Sequence, residues 1–198
     1  MNGMSFSYRV GWRLFRFVFR TYFRWRVHHA ERVPMDGPVI LASNHSSYLD
    51  PPLVGCGLTR PINFLARDSL FRFPIFGPIL RSWNAVPVDR AGVSPTGLRN
   101  IIERLRAGGG IILFPEGTRS HDGRLQPAHS GVGLVVIKSD APVVPVRVLG
   151  TYEAYGRRMR FPRPRRGGGI YGAPMTFAEV RGGGKAAAQP GQTAAGIG

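Results

Sequence analysis

The stretch Ser43-Asn44-His45-Ser46-Ser47-Tyr48-Leu49-Asp50-Pro51-Pro52 holds a base and a group that can orient it. A neutral imidazole takes a proton from a hydroxyl near pH 7, and a carboxylate on its other ring nitrogen fixes the tautomer and stabilises the imidazolium that forms. Four residues separate His45 from Asp50. On one continuous helix a five-residue step turns by roughly 140°, so the two side chains would diverge; the pair needs a bend. The flanking residues provide for one. Gly37-Pro38-Val39-Ile40-Leu41-Ala42 reads as a buried strand, polar residues follow, and Asp50-Pro51 has the form of a helix cap followed by proline at the first helical position. His45 then falls on a strand-to-helix turn, where functional side chains commonly sit. Taken alone, the stretch also admits a plainer reading, with Asp50 only a cap and His45 only a polar loop residue.

A second stretch decides between them. Phe114-Pro115-Glu116-Gly117-Thr118-Arg119-Ser120 follows the apolar run Gly110-Ile111-Ile112-Leu113. It places a carboxylate, a glycine and an arginine at the C-terminal end of a strand, the usual ligand edge of an open α/β sheet. Two further blocks, Val86-Pro87-Val88-Asp89-Arg90 and Val143-Val144-Pro145-Val146, stand in the same order along the chain. Together the four blocks resemble the glycerolipid acyltransferase family, especially the bacterial 1-acylglycerol-3-phosphate acyltransferases.

The resemblance implies acyl transfer from a thioester to the free hydroxyl of a lysophospholipid, giving phosphatidic acid. His45 would deprotonate that hydroxyl, Asp50 would orient His45, and no acyl-enzyme is implied. Substrate contacts carry over to Arg67, Arg90, Glu116, Gly117, Thr118 and Arg119. Arg90 and Arg119 would hold the acceptor phosphate by charge-assisted hydrogen bonds, and Gly117 would let the backbone approach it. Glu116 would grip a free hydroxyl or brace Arg119. No cofactor or metal is implied; acyl-CoA or acyl-carrier protein is the co-substrate. The chain departs from the family pattern at Asn84, where a glycine is usual, and at Arg67, where lysine is frequent. Pro127-Ala128-His129-Ser130-Gly131 also lacks the usual Lys or Arg before its glycine, so another lysolipid, such as a lyso-aminolipid, stays open as acceptor.

Composition points to anionic partners. The chain of 198 residues has a net charge of +16, and all but Lys138 and Lys185 of its 27 basic residues are arginine. Arginine favours bidentate contact with phosphate or carboxylate. A basic nucleic-acid-binding or membrane-binding protein without catalysis is the competing class, but it leaves the His45/Asp50 and Glu116/Gly117/Arg119 stretches unexplained. The expected partners are therefore membrane lipids, a lysophospholipid acceptor and the thioester donor, not nucleic acid. The single Cys56 excludes an internal disulfide and, with no basic neighbour in sequence, reads as a small buried residue.

The elements that must position these groups follow from periodicity. Within residues 5 to 26, the arginines at 9, 13, 16, 20 and 24 recur at helical steps. On a helix these fill a sector of roughly 80°, with apolar and aromatic residues around the rest. That pattern predicts an amphipathic helix at the membrane interface; the alternative is a helix packed on its own domain with arginines facing water. Strands are expected at Val39–Ala42, Ile62–Ala66, Ala85–Val88, Ile111–Phe114, Val143–Val148 and near Ile170–Tyr171. Helices are expected at Pro51–Leu58, Phe76–Arg81 and Ser94–Ala107, while Gly131–Ser139 is ambiguous between helix and strand. The fold expected is α/β, a mixed, mostly parallel sheet flanked by helices and preceded by the N-terminal amphipathic interfacial helix. The division along the chain is 1–30 for that helix, 31–181 for the acyltransferase domain, and 182–198 for a disordered tail. Arg157–Arg166 reads either as a solvated loop or as a second basic patch toward membrane or substrate. The expected location is peripheral, on the cytoplasmic face of the inner membrane.

Overall fold

Strands that are apolar on both faces occupy the centre of the sheet, as burial on two sides demands. The computed structural model describes residues 4–88 and 95–177, so Arg90 and the tail from 182 onward lie outside the described residues. Among the described residues the strands are β1 (Arg26–His28), β2 (Val39–Ser43), β3 (Ile62–Arg67), β4 (Ala85–Val88), β5 (Gly110–Leu113), β6 (Val143–Leu149) and β7 (Gly168–Tyr171). They form one sheet in the order β1-β7-β6-β2-β5-β3-β4. Strands β2 to β6 are mutually parallel, β7 runs antiparallel to β6, and β1 pairs parallel with β7. Every expected strand forms, with ends shifted by two residues at most, and the mixed, mostly parallel sheet is the one expected.

The helices are α1 (Phe6–Thr21), α2 (Asp50–Cys56), α3 (Phe76–Ser82), α4 (Pro95–Arg106), α5 (Ser130–Ser139) and α6 (Thr151–Tyr155). The alternation of side chains along each strand divides the core in two. On one face Phe19 of α1 and Leu53 and Val54 of α2 pack with Val39, Leu41, Ile112 and Val144. On the other, Ile101 and Leu105 of α4 and Val135 of α5 pack with Ile40, Ile111, Leu113 and Val143. Each such side chain contributes about 1.5–3 kcal/mol through burial. The segment 131–139, ambiguous in sequence, is helical, and Val132, Val135 and Val136 form its inner side against α4 and the sheet.

Two local features differ from expectation. The N-terminal helix stops at Thr21 rather than running to 26, and Arg24 turns the chain through a left-handed conformation (φ 51) into β1. Its aromatic side is largely an inner surface: Phe19, Phe23 and Trp25 join the main core, and Trp12 Nε1 donates to Leu58 O at 2.8 Å. Phe6, Val10, Leu14 and Phe17 stay exposed among Arg9, Arg13 and Arg20. Residues of the 1–30 segment thus share the core of the segment that follows. The second feature is Asn84, whose φ of 62 is one that glycine and asparagine adopt most readily.

Because the five parallel strands share one direction, their C-terminal ends line one edge. The His45 turn leaves β2, Arg67 ends β3, the Phe114–Arg119 stretch leaves β5, and α6 follows β6.

Candidate active site

Asp50 is completely buried, and its Oδ2 accepts three hydrogen bonds: from His45 Nδ1 at 2.9 Å, Ser46 N at 2.6 Å and Ser47 N at 2.7 Å. The bend required between base and orienter is therefore made by the carboxylate itself, which gathers the preceding turn. The expectation that Asp50 caps α2 does not hold. It is the first residue of that helix, Leu49 stands at the cap, and the carboxylate reaches back along the chain instead of forward. A carboxylate only accepts, so Nδ1 carries a proton, and in the neutral imidazole the lone pair is then on Nε2. His45 Nε2 has no hydrogen-bond partner among the described residues, and its side chain is 17% exposed. The ring lies on Phe114, centroids 3.9 Å and planes 20° apart.

Glu116 ties the two loops together. It is buried, with Oε1 accepting from His45 N at 2.9 Å and Oε2 from Gln126 N at 3.3 Å. It does not brace Arg119, one of its two expected roles, because among the described residues its carboxylate lies within ion-pair distance of no arginine. The physical reason is that the His45 turn brings a backbone N–H into the pocket, and a buried carboxylate is best satisfied by such donors. Ser120 N returns the link by donating to His45 O at 2.7 Å. Asn44 locks the turn from the other side, its amide bridging Val148 O at 3.0 Å and Val148 N at 2.7 Å.

Arg119 lies with its guanidinium carbon 3.5 Å from the centroid of the Tyr48 ring, and its Nη1 is buried with no hydrogen-bond partner among the described residues. Gly117 adopts φ +65, which favours glycine, and a Cβ there would come within 2.9 Å of the exposed His129 ring, which would have to move aside. Thr118 is exposed between these two residues, and its hydroxyl lies 3.4 Å from Arg157 Nη1. Arg67 is exposed at the end of β3 on the same sheet edge, while Arg90 lies outside the described residues. A cleft of about 490 Å³ opens beside the loops, lined by Ala42, Asn44, Glu116, Leu125, Val146 and Ile170 among others. Sequence reasoning missed Phe114 as a seat for the imidazole, Asn44 as a clamp and Tyr48 as a platform for Arg119, although all three lie inside the two motifs; Arg157 was read only as part of a basic segment, either a solvated loop or a patch toward membrane or substrate.

Ser46 and Ser47 are buried, and Ser47 Oγ is engaged with Tyr155 O at 2.7 Å. Cys56 is buried as expected, and desolvation pushes its thiol up to about 12, far from the thiolate a nucleophile needs.

The fold and site together are an open, mostly parallel α/β sheet with a histidine–aspartate pair and an arginine on one strand edge. The family model described as Acyltransferase matches residues 24–149. The chain belongs to the acyltransferase family. It is 31% identical over 135 residues to the chloroplastic 1-acyl-sn-glycerol-3-phosphate acyltransferase BAT2 of Brassica napus, covering 66% of this chain and 38% of that protein. It is 30% identical over 126 residues to the 1-acyl-sn-glycerol-3-phosphate acyltransferase of Bacillus subtilis, covering 63% and 62%. The crystal structure of the 1-acyl-sn-glycerophosphate (LPA) acyltransferase PlsC from Thermotoga maritima superposes with a TM-score of 0.73 at 30% identity, over 89% of this chain and 72% of that one. The chain thus spans 38% of the length of the plant relative and 62% of the Bacillus one.

Proposed function

We propose that the protein moves a fatty acyl group from a thioester donor to the free hydroxyl of a 1-acylglycerol 3-phosphate, giving phosphatidic acid in phospholipid synthesis. The observation that carries this reading is the 2.9 Å bond from His45 Nδ1 to Asp50 Oδ2, which leaves Nε2 with the lone pair a general base needs. Nε2 takes the proton as the acceptor oxygen attacks the thioester carbonyl. The carbon–sulfur bond then breaks, and the departing thiolate receives that proton from His45. Asp50 stabilises the imidazolium between the two steps. Arg119 and Arg90 hold the acceptor phosphate, Gly117 and Thr118 line its approach, and Arg67 adds positive charge along the same edge. Glu116 acts on the acceptor indirectly, by fixing both loops. The donor is acyl-CoA or acyl-carrier protein, and the mostly apolar cleft suits an acyl chain.

The reaction takes place at a membrane surface, with the protein peripheral on the cytoplasmic face of the inner membrane. Supporting this, α1 offers water an apolar row, Phe6, Val10, Leu14 and Phe17, flanked by arginines. No described helix is long and apolar enough to cross a membrane. A second acceptor, a lyso-aminolipid, is favoured by one observation, the absence of Lys and Arg from residues 127–131. Purified protein offered a panel of lysolipids with both thioester donors, with products read by mass, separates the two. Phosphatidic acid from lysophosphatidate at the highest rate supports the proposal; acylation of lyso-aminolipid alone replaces the acceptor.

A further inference from the structure

Helix α6 and the turn after it are fitted between the two loops that carry the site. Ser47 pairs with Gly156 in an isolated antiparallel bridge, and the Tyr155 ring lies 5.9 Å from that of Tyr48. Toward the other loop, Tyr152 OH donates to His121 O at 2.9 Å, and a Cβ on Gly123 would come within 2.9 Å of the Tyr152 ring. The helix is therefore held on both sides, and the residue that follows Gly156 is Arg157. Its Nη1 lies 3.4 Å from Thr118 Oγ1 and 3.3 Å from His121 Nε2.

Neither partner is a carboxylate. Among the described residues no Asp or Glu oxygen lies within 4.0 Å of Arg157 or of Arg119. The Arg157 guanidinium thus sits against Thr118, the residue directly before Arg119, and neither arginine has a counter-ion: Arg119 is stacked on Tyr48 with a buried, unpartnered Nη1, and Arg157 is held at the turn after α6. A phosphate monoester near pH 7 has a charge of about −1.5 to −2 and three acceptor oxygens, which two guanidinium forks match better than one. Phosphate diesters and zwitterionic headgroups lack that second charge.

Resting on the acyl-transfer reading above, we infer that Arg157 is a specificity-determining residue, the cation that acts with Arg119 to select a phosphomonoester acceptor. It comes from an arginine-rich segment of no regular motif, and it supplies from α6 the fixed charge that residues 127–131 lack.

The test is initial-rate kinetics of the full chain with lysophosphatidate and with a monoacylglycerol of the same chain, for wild type, Arg157→Ala, Arg157→Lys and Arg158→Ala. Arg158 is the exposed neighbour, with no hydrogen bond or ion pair to the 118–121 loop among the described residues, so its variant controls for loss of general surface charge. Arg157→Ala raises KM for lysophosphatidate about tenfold with kcat little changed, Arg157→Lys recovers part of it, and the other acceptor and the donor keep their KM. Calorimetric titration of glycerol 3-phosphate reads the same site without turnover, and its affinity falls in Arg157→Ala and not in Arg158→Ala. A KM within twofold of wild type overturns the inference, as does an equal rise for both acceptors or a rise confined to the donor, whose own phosphates are the other source of this chemistry. Wild type that ignores lysophosphatidate but binds glycerol 3-phosphate through Arg157 overturns the acceptor assignment instead and leaves the phosphate site standing.

Discussion

The imidazole of His45 lies nearly flat on the ring of Phe114, 3.9 Å between centroids and 20° between planes, while its edge is pinned by Asp50. Plane and edge are thus fixed by two different motifs, one leaving β2 and one leaving β5. Stacked pairs of this kind contribute about 0.5–1.5 kcal/mol beyond burial, so Phe114→Leu, which keeps apolar bulk but not the flat face, lowers kcat by up to about tenfold. The acceptor KM and the far-ultraviolet circular dichroism stay near wild type. An unchanged kcat would show that Asp50 alone orients the ring.

Much of this arrangement was legible in the sequence, and the parts that were not share a cause. Strands β2 and β5 announce themselves as apolar runs because both of their faces are covered, and β6 as an alternation of buried valines with exposed residues because only one of its faces is. Strand β1 does not, since Arg26, Val27 and His28 are all exposed and its place is set by pairing with β7. Asp50 was recognisable as a partner for His45, yet its local spacing also fits a cap, and only the turn geometry separates the two. Glu116 was legible as a site carboxylate but its role was not, because its donors are backbone groups 71 and 10 residues away that leave no mark in side-chain chemistry. Arg157 was legible only as one of several arginines in a segment that could be a solvated loop or a patch toward membrane or substrate, because its placement depends on how a five-residue helix docks.

Cys56 provides a test of the core that is independent of activity. Burial raises its thiol from an ordinary value of 9.0 to about 12. At pH 8 the folded protein therefore resists alkylation by iodoacetamide, while the same protein in denaturant reacts readily. The sign for stability follows from the raised value: the unfolded chain ionises first, so this group's contribution is intact below about pH 9 and is lost as pH climbs toward 12. Rapid labelling of the folded protein at pH 8, read by intact mass, would contradict the packing described.

Membrane attachment through α1 calls for substitutions on its outer row. Deleting residues 1–26 would strip Phe19, Phe23 and Trp25 from the main core and report on folding as well. Replacing Phe6, Leu14 and Phe17 with serine removes exposed apolar surface only, and it lowers co-sedimentation with anionic and neutral vesicles alike. Arg9→Ser and Arg13→Ser each weaken binding to anionic vesicles about fivefold, at about 1 kcal/mol per arginine, with little effect on neutral ones and less effect at high salt. Undiminished sedimentation of the serine triple variant would move the membrane contact elsewhere on the surface.

The central claim is that His45 is the general base and Asp50 its orienter, and the rate of phosphatidic acid formation from lysophosphatidate and an acyl thioester tests it most directly. Wild type, His45→Ala and Asp50→Asn are compared at saturating substrate, with products quantified by mass and folding checked by circular dichroism. A positioned base contributes typically 10²–10⁴-fold, so His45→Ala loses transfer by at least about 10²-fold, with Asp50→Asn losing somewhat less, in proteins that remain folded. Turnover by a folded His45→Ala variant within a few-fold of wild type would contradict the account.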